Sequence, residues 1–402
     1  MSEAKTGTRP IRTLLFSTLY PSAARPVHGI FVETRLRELL KSGQVETRVI
    51  APVPWFPSAH PRFGEYAQFA ATPRRELRNG VDVFHPRYFL PPKVGMNLAP
   101  HTLAMAALPL ARRLIRDGFD FDLIDAHYYY PDGAAAAILA RKLGKPFVVT
   151  ARGTDLNLIP QYAYPRRLIR DTASQAGASI GVCRALMDSL AELGADPTKL
   201  HVFRNGVDLQ RFVPEVRAEA RARLGLGPGI HLLSVGHLIE RKGHHLAIEA
   251  LAELPDARLH IVGSGPERAV LERLAATRGV TARVNFVGQV AQEELKWWYS
   301  AADVLLLCSS REGWANVLLE SMACGTPVVA TDIWGTPEVV SVPAAGRLMH
   351  ERSATALVTA VRDLLGDYPA REDTRRHAER FSWDQTTADQ LALFRGLTGV
   401  GA

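Results

Sequence analysis

The 402-residue chain has no run of 18 apolar residues, which excludes a membrane-spanning helix of ordinary length. Residues 1–10 lack the apolar core of a secretory signal. Cysteine is scarce. Cys183, Cys308 and Cys324 stand far apart, so neither a disulfide framework nor a thiolate metal site is expected, and a reducing cytoplasm fits. No nucleic-acid motif or basic–aromatic interleaving is present, so no nucleic-acid partner is expected. The first strand–loop–helix unit lacks G-x-G-x-x-G, which argues against a dinucleotide fold. No pair of acids has glycosidase-like spacing, and no D-x-D stands where it would hold a metal.

What is present is ordinary for a globular protein: 47% hydrophobic and 22% charged residues. The length exceeds one ordinary core, so two domains are expected. The net charge of +7 is uneven, since residues 1–200 hold 26 Lys and Arg against 17 Asp and Glu. A basic amino-terminal half calls for an anionic partner, and a lipid surface or a phosphorylated acceptor is the expectation.

The chain is organised around Ser309 to Thr331. Ala302 to Cys308 reads as a buried strand, Val317, Leu318, Ser321 and Met322 recur at helical spacing, and Pro327 to Ala330 reads as another strand. Gly325 before Thr-Pro stops the helix. This is one βαβ unit whose loop lies at the carboxyl end of a parallel strand, where such sheets bind ligands. Glu312 and Glu320 are separated by seven residues, about 12 Å apart if all of it were helix. Helical amides following Gly313 would offer a phosphate site between the two carboxylates. A helix-start acid and a surface Glu are the plain alternative.

The stretch from Glu312 through Glu320-Ser-Met-Ala-Cys-Gly-Thr-Pro to Gly335-Thr-Pro-Glu338 resembles the E-x7-E motif of the family-4 retaining glycosyltransferases, in their teichuronic or exopolysaccharide-type branch. The resemblance implies the GT-B fold, an α/β architecture of two Rossmann-like doubly wound domains facing across a cleft. It places an acceptor-side domain at 1–200, a nucleotide-sugar domain at 201–382 and a terminal helix, 383–397, returning to the first domain. It implies that Glu312 contacts the donor sugar and Glu320 the ribose, with Gly313, Trp314, Asn316 and Val317 lining the donor site. Two departures stand out: Glu312-Gly-Trp-Ala-Asn316 replaces the common EGFG, and Trp334 replaces the first of two glycines before Pro-Glu.

In the first domain, Ile11 to Thr18 reads as a strand and Phe31 to Ser42 as a helix. Gly29 between them is a close-approach glycine, near the donor phosphates by the resemblance, or a plain turn. Residues 52–100 show poor periodicity and collect Trp55, Phe56, Arg62, Phe63, Arg74, Arg75, Arg78 and Lys93. Contact with an anionic membrane through this segment and Arg112, Arg113 and Arg116 is one expectation; a solvated loop with a small hairpin is the other. His127 ends a strand, and the resemblance makes it line the sugar site, where it could bond a hydroxyl and titrate near neutrality. Arg152-Gly153-Thr154-Asp155 stands where the family has His-Gly-x-Asp, so Gly153 and Asp155 are carried to the acceptor side. Asn205-Gly206-Val207-Asp208 resembles the family's interdomain turn, with Asn205 reaching the acceptor side of the cleft.

The second domain opens with a strand ending at Gly236, then His237 to Gly243, then a helix. A basic pair at a strand–helix junction suits a diphosphate. The family pattern is G-R-x-x-x-x-K-G, so Lys242 matches, His237 replaces the Arg, and Arg241 supplies a second cation. Gly263-Ser-Gly265-Pro266 resembles the family's nucleotide edge. Trp297, Trp298 and Tyr299 read as packing residues. The expectation is thus a cytoplasmic, peripherally membrane-associated retaining transferase. It uses a nucleoside-diphosphate sugar as substrate and a saccharide or lipid-linked acceptor, in envelope or exopolysaccharide synthesis. Glu312, Lys242 and His127 are its catalytic candidates, with no cofactor and no obligatory metal. A non-catalytic sugar-nucleotide- or lipid-binding protein and another GT-B enzyme, such as an epimerase or phosphorylase, are the rivals.

Overall fold

The computed structural model describes residues 9–91 and 94–400; residues 1–8, Lys93 with Pro92, and residues 401–402 lie outside them. The chain forms two compact units: residues up to Phe203 together with 384 onward, and Arg204–Trp383.

The first unit holds β1 (Ile11–Phe16), β2 (Val45–Ile50), β3 (Val53–Pro54), β4 (Arg75–Arg78), β5 (Val81–Phe84), β6 (Arg87–Tyr88), β7 (Leu123–His127), β8 (Phe147–Ala151), β9 (Ala178–Gly181) and β10 (Leu200–Val202). Eight of them make one sheet in the order β10-β9-β8-β7-β1-β2-β5-β4, and β3 pairs with β6 separately. All pairs in the large sheet are parallel except β4 with β5. The second unit holds β11 (Ile230–Val235), β12 (Ala257–Val262), β13 (Val284–Gly288), β14 (Val304–Leu307), β15 (Val328–Thr331) and β16 (Gly346–Met349) in the order β13-β12-β11-β14-β15-β16. This sheet is parallel throughout.

The sequence explains the burial. β7, β8, β14 and β15 are buried at every position, as strands covered by helices on both faces require. Each unit also has one point where the chain reverses direction across its sheet: between β1 and β7 in the first, between β11 and β14 in the second. The crevice outside the carboxyl ends of such strands is where doubly wound sheets hold ligands.

Residues 52–100 are more regular than their weak periodicity predicts. They contain a helix at Glu65–Ala71, the β4–β5 hairpin and the start of a 22-residue helix, Gly95–Arg116. The hairpin turns at Asn79 and Gly80, both at positive φ, the pairing that a two-residue turn favours. The terminal helix, Trp383–Thr398, lays Leu391 and Phe394 into a core with Ile11, Leu123, Val148 and Ile180.

Candidate active site

In the second unit, two loops meet at the reversal point. The loop after β11 carries Arg241 and Lys242; the loop after β14 carries Glu312. Lys242 Nζ donates to Glu312 Oε1 at 2.6 Å, and Ser309 Oγ donates to the same oxygen at 2.6 Å. Arg241 Nη1 donates to the Arg311 carbonyl at 2.7 Å and stands 3.9 Å from Glu312 Oε2. Residues 70 positions apart thereby form one cluster of two cations and one carboxylate. Ser310 N donates to the Arg241 carbonyl, which ties the loops together.

Glycine makes this approach possible. Gly243 has φ 72°, and a Cβ there would overlap the Cys308 carbonyl. Gly236 lies against the Lys242 methylenes. Gly263 and Gly265 have a demand of their own: a Cβ on Gly263 would overlap the Gly236 carbonyl, and one on Gly265 the Leu238 backbone. The G-x-G pattern is therefore required by loop packing, with or without a nucleotide.

His244, unremarked in the sequence, props the Lys242 loop. Its Nδ1 pairs with Ser234 Oγ at 2.9 Å and its Nε2 with the His237 carbonyl at 3.3 Å, and burial lowers its pKa to about 4. The imidazole of His237 itself is exposed.

Glu320 lies on the Asn316–Ala323 helix and accepts from Tyr299 Oη at 2.7 Å. Burial pushes its carboxyl up to about 7. Tyr299 is fully buried against Phe212, so one member of the expected packing trio also orients a candidate ligand group. The helix starts at Asn316, so the first helical amides come later than Gly313 and Glu312 stands in the preceding loop. Trp314 is buried beside Phe381, with ring centroids 5.9 Å apart, and its indole N–H has no partner among the described residues. Val317 is half-buried on the first helical turn. Trp334 takes φ 48°, so the backbone keeps a glycine-like turn where the family has glycine.

Asn205, expected on the acceptor side, belongs to the second unit. It is buried, and its Nδ2 donates to Asn316 Oδ1 at 3.2 Å.

In the first unit the strand-end residues are placed as predicted, but their chemistry differs. His127 ends β7 and is 1% exposed. Arg152 Nη2 donates to its Nδ1 at 2.5 Å, and its Nε2–H donates to Asp125 Oδ2 at 3.3 Å. Burial, with Arg152 adding to it, lowers its pKa to about 4. It is a neutral imidazole with both nitrogens engaged, not a group titrating near pH 7. Asp155 is fully buried and accepts from the backbone N–H groups of Tyr129, Arg152 and Gly153. Its oxygens shape two loops and are not presented to a ligand. Gly29 is a close-approach glycine at φ 68°, but the partner is its own chain, the Leu19–Tyr20 backbone.

Asp132 was not singled out by the sequence. It is fully buried in the loop after β7 and accepts from Thr18 N and Thr18 Oγ1, both at 2.9 Å. Burial raises its carboxyl to about 7. It thereby fastens the loop after β1 to the loop after β7.

Comparison with known proteins assigns this arrangement to a family. Residues 87–211 match the family described as Glycosyltransferase Family 4, and residues 216–381 match Glycosyl transferases group 1. A Bacillus subtilis (strain 168) protein, provisionally named a teichuronic acid biosynthesis glycosyltransferase, is 32% identical over 87% of this chain and 88% of its own. A D-inositol 3-phosphate glycosyltransferase of Jonesia denitrificans is 32% identical over 68% of this chain and 71% of its own. Among solved structures, sucrose-phosphate synthase from Thermosynechococcus elongatus superposes with TM-score 0.79 at 22% identity, covering 97% of this chain and 100% of its own. Anabaena HepE in complex with UDP-glucose superposes with TM-score 0.69 at 20% identity, covering 95% of this chain and 99% of its own. With its two Rossmann-like units, the chain belongs to the family-4 glycosyltransferases and has the GT-B fold.

Proposed function

We propose that this glycosyltransferase moves a sugar, with retention of anomeric configuration, from a nucleoside-diphosphate sugar to an acceptor used in envelope or exopolysaccharide synthesis. The observation that carries the reading is the Lys242–Glu312 pair, flanked by Arg241, at the second unit's reversal point. Two cations against one carboxylate leave an excess positive charge, which suits a diphosphate. The HepE structure with UDP-glucose supports a nucleotide-sugar donor on this fold.

Negative charge grows on the departing phosphate oxygen as its bond to the anomeric carbon breaks. Lys242 and Arg241 stabilise that charge, and preorganised electrostatics of this kind supply the largest share of catalysis. The start of the Asn316–Ala323 helix, which carries no side-chain cap among the described residues, adds the positive end of a helix dipole. Glu312 holds the sugar, and Glu320 accepts from the ribose hydroxyls. The acceptor oxygen bonds to the anomeric carbon on the face the diphosphate leaves, and its proton goes to the departing phosphate. No side chain is assigned as base, since His127 is neutral with both nitrogens bonded. No cofactor or obligatory metal enters the reading. The basic first half supports a location on the cytoplasmic face of an anionic membrane.

The test is the anomeric configuration of the first-formed product, followed by proton NMR from donor to product. Retention is expected. Inversion would overturn the mechanism while leaving the family assignment intact.

A further inference from the structure

The first unit contains a cavity of about 940 Å³ that the reading above leaves unused. Its lining joins Thr18, Tyr128 and Pro131, in the loops after β1 and β7, with exposed Trp55, Tyr66 and Phe89. It therefore connects the ligand-binding edge of the first sheet to the outer surface of the same unit. No charged side chain lines it among the described residues, and its polar side-chain groups are the Thr18 hydroxyl, the Trp55 indole N–H and tyrosine hydroxyls. One of those, Tyr130 Oη, already donates to the Met96 carbonyl at 2.6 Å.

The outer surface around it is unusual. Among the described residues, twelve of the fourteen exposed large hydrophobic side chains belong to the first unit, and six of these line the cavity. Scattered single hydrophobics need no explanation, but a contiguous set around a groove marks a binding surface. Cations stand over rings of the aromatic rim, and one of them, Arg25, also pairs with Glu65 at 3.3 Å. Arg25 lies 4.9 Å from the Phe69 ring centroid and Arg62 4.6 Å from that of Phe63. Phe56 ties the rim together, 5.3 Å from Phe63 and 5.2 Å from Tyr66. An apolar groove with a basic, aromatic mouth complements one ligand chemistry: a hydrocarbon chain carrying an anionic head.

We propose that this groove binds the hydrocarbon chain of a lipid-linked, phosphate-bearing acceptor, with its glycan end directed to the loops after β1 and β7. The proposal rests on the transferase reading for the meaning of that edge. A soluble sugar in the groove would leave its hydroxyls without partners along the apolar walls, a cost a hydrocarbon does not incur.

The test titrates the full chain calorimetrically with octyl, decyl and dodecyl phosphate below their micelle concentrations. Inorganic phosphate and maltohexaose serve as comparisons. Affinity is expected to rise about fourfold per added methylene. Met96→Glu sets a carboxylate into the groove wall and is expected to weaken dodecyl phosphate on the order of tenfold or more. Phe89→Ser, at a position 60% exposed, makes the same test with little risk to folding. Lys242→Ala is expected to bind dodecyl phosphate as the wild type does. Affinity independent of chain length, equal binding of inorganic phosphate or maltohexaose, or wild-type binding by both groove variants would each overturn the proposal. Melting-temperature shifts with sugar nucleotides, read on the same samples, report the second unit. If they vanish while chain-length dependence persists, the donor reading falls and the groove stands; the reverse removes only the groove.

Discussion

Lys242 and Glu312 hold each other at 2.6 Å, so each is a restraint on the other. Replacing Glu312 by Gln removes the carboxylate that pairs with Lys242 and faces Arg241. Nucleoside diphosphate is then expected to bind as tightly as before or more tightly, while turnover falls on the order of a hundredfold, the scale of losing one charge-stabilising group. Weaker diphosphate binding in that variant would contradict the assignment. Glu320 makes a pH prediction. Its carboxyl is raised to about 7, so it is an ionised acceptor only above that pH, and nucleotide affinity is expected to fall as pH drops from 8 to 6. Glu320→Gln should flatten the profile. Tyr299→Phe removes the hydroxyl that aims Glu320, and a loss of about 1 kcal/mol in donor binding is expected with kcat preserved.

At the scale of elements, the loops at each reversal point are held by contacts that tolerate little change. A methyl group on Gly243 meets the Cys308 carbonyl, so Gly243→Ala should lower the melting temperature and pull Lys242 away from Glu312. In the first unit, Asp132 couples the loops after β1 and β7. Its folded pKa, about 7, lies above the ordinary value of 3.8, so the folded state holds a proton that the unfolded chain has released. That contribution to stability is complete below about pH 4 and is lost as pH rises through 7. Thermal melts of Asp132→Asn against wild type should therefore diverge in favour of the variant from pH 5 to pH 8; a difference independent of pH would contradict the account. Strands with unbroken apolar runs, such as β14 and β15, were legible because burial on both faces leaves one pattern. Glu312 and Lys242 were legible through motif spacing at strand ends. Asp132, His244 and Tyr299 were not, because their roles depend on which loop or helix lies opposite. His127 was misread for the same reason: its place on β7 follows from the strand, but its neutral state follows from Arg152 and Asp125. The small hairpin expected within residues 52–100 is β4–β5, which turns at Asn79-Gly80.

At the scale of the molecule, the chain returns its terminal helix to the first unit. Gln390 Oε1 accepts from Arg35 Nε at 2.9 Å, and its Nε2 lies 3.4 Å from Asp125 Oδ2. Arg35 also donates to the Phe203 carbonyl at 3.0 Å, where the first unit ends. Gln390→Ala should destabilise the first unit by roughly 2 to 3 kcal/mol, since it strips a partner from two buried groups. Among the described residues no helix is long and apolar enough to cross a membrane. The most direct test of the central claim is a calorimetric titration of nucleoside-diphosphate sugars into wild type, Lys242→Ala and Glu320→Ala. The account predicts that at least one sugar nucleotide binds the wild type and that both variants bind it at least tenfold more weakly, a loss of about 1.4 kcal/mol or more. No binding by the wild type, or unchanged affinity in both variants, would contradict it.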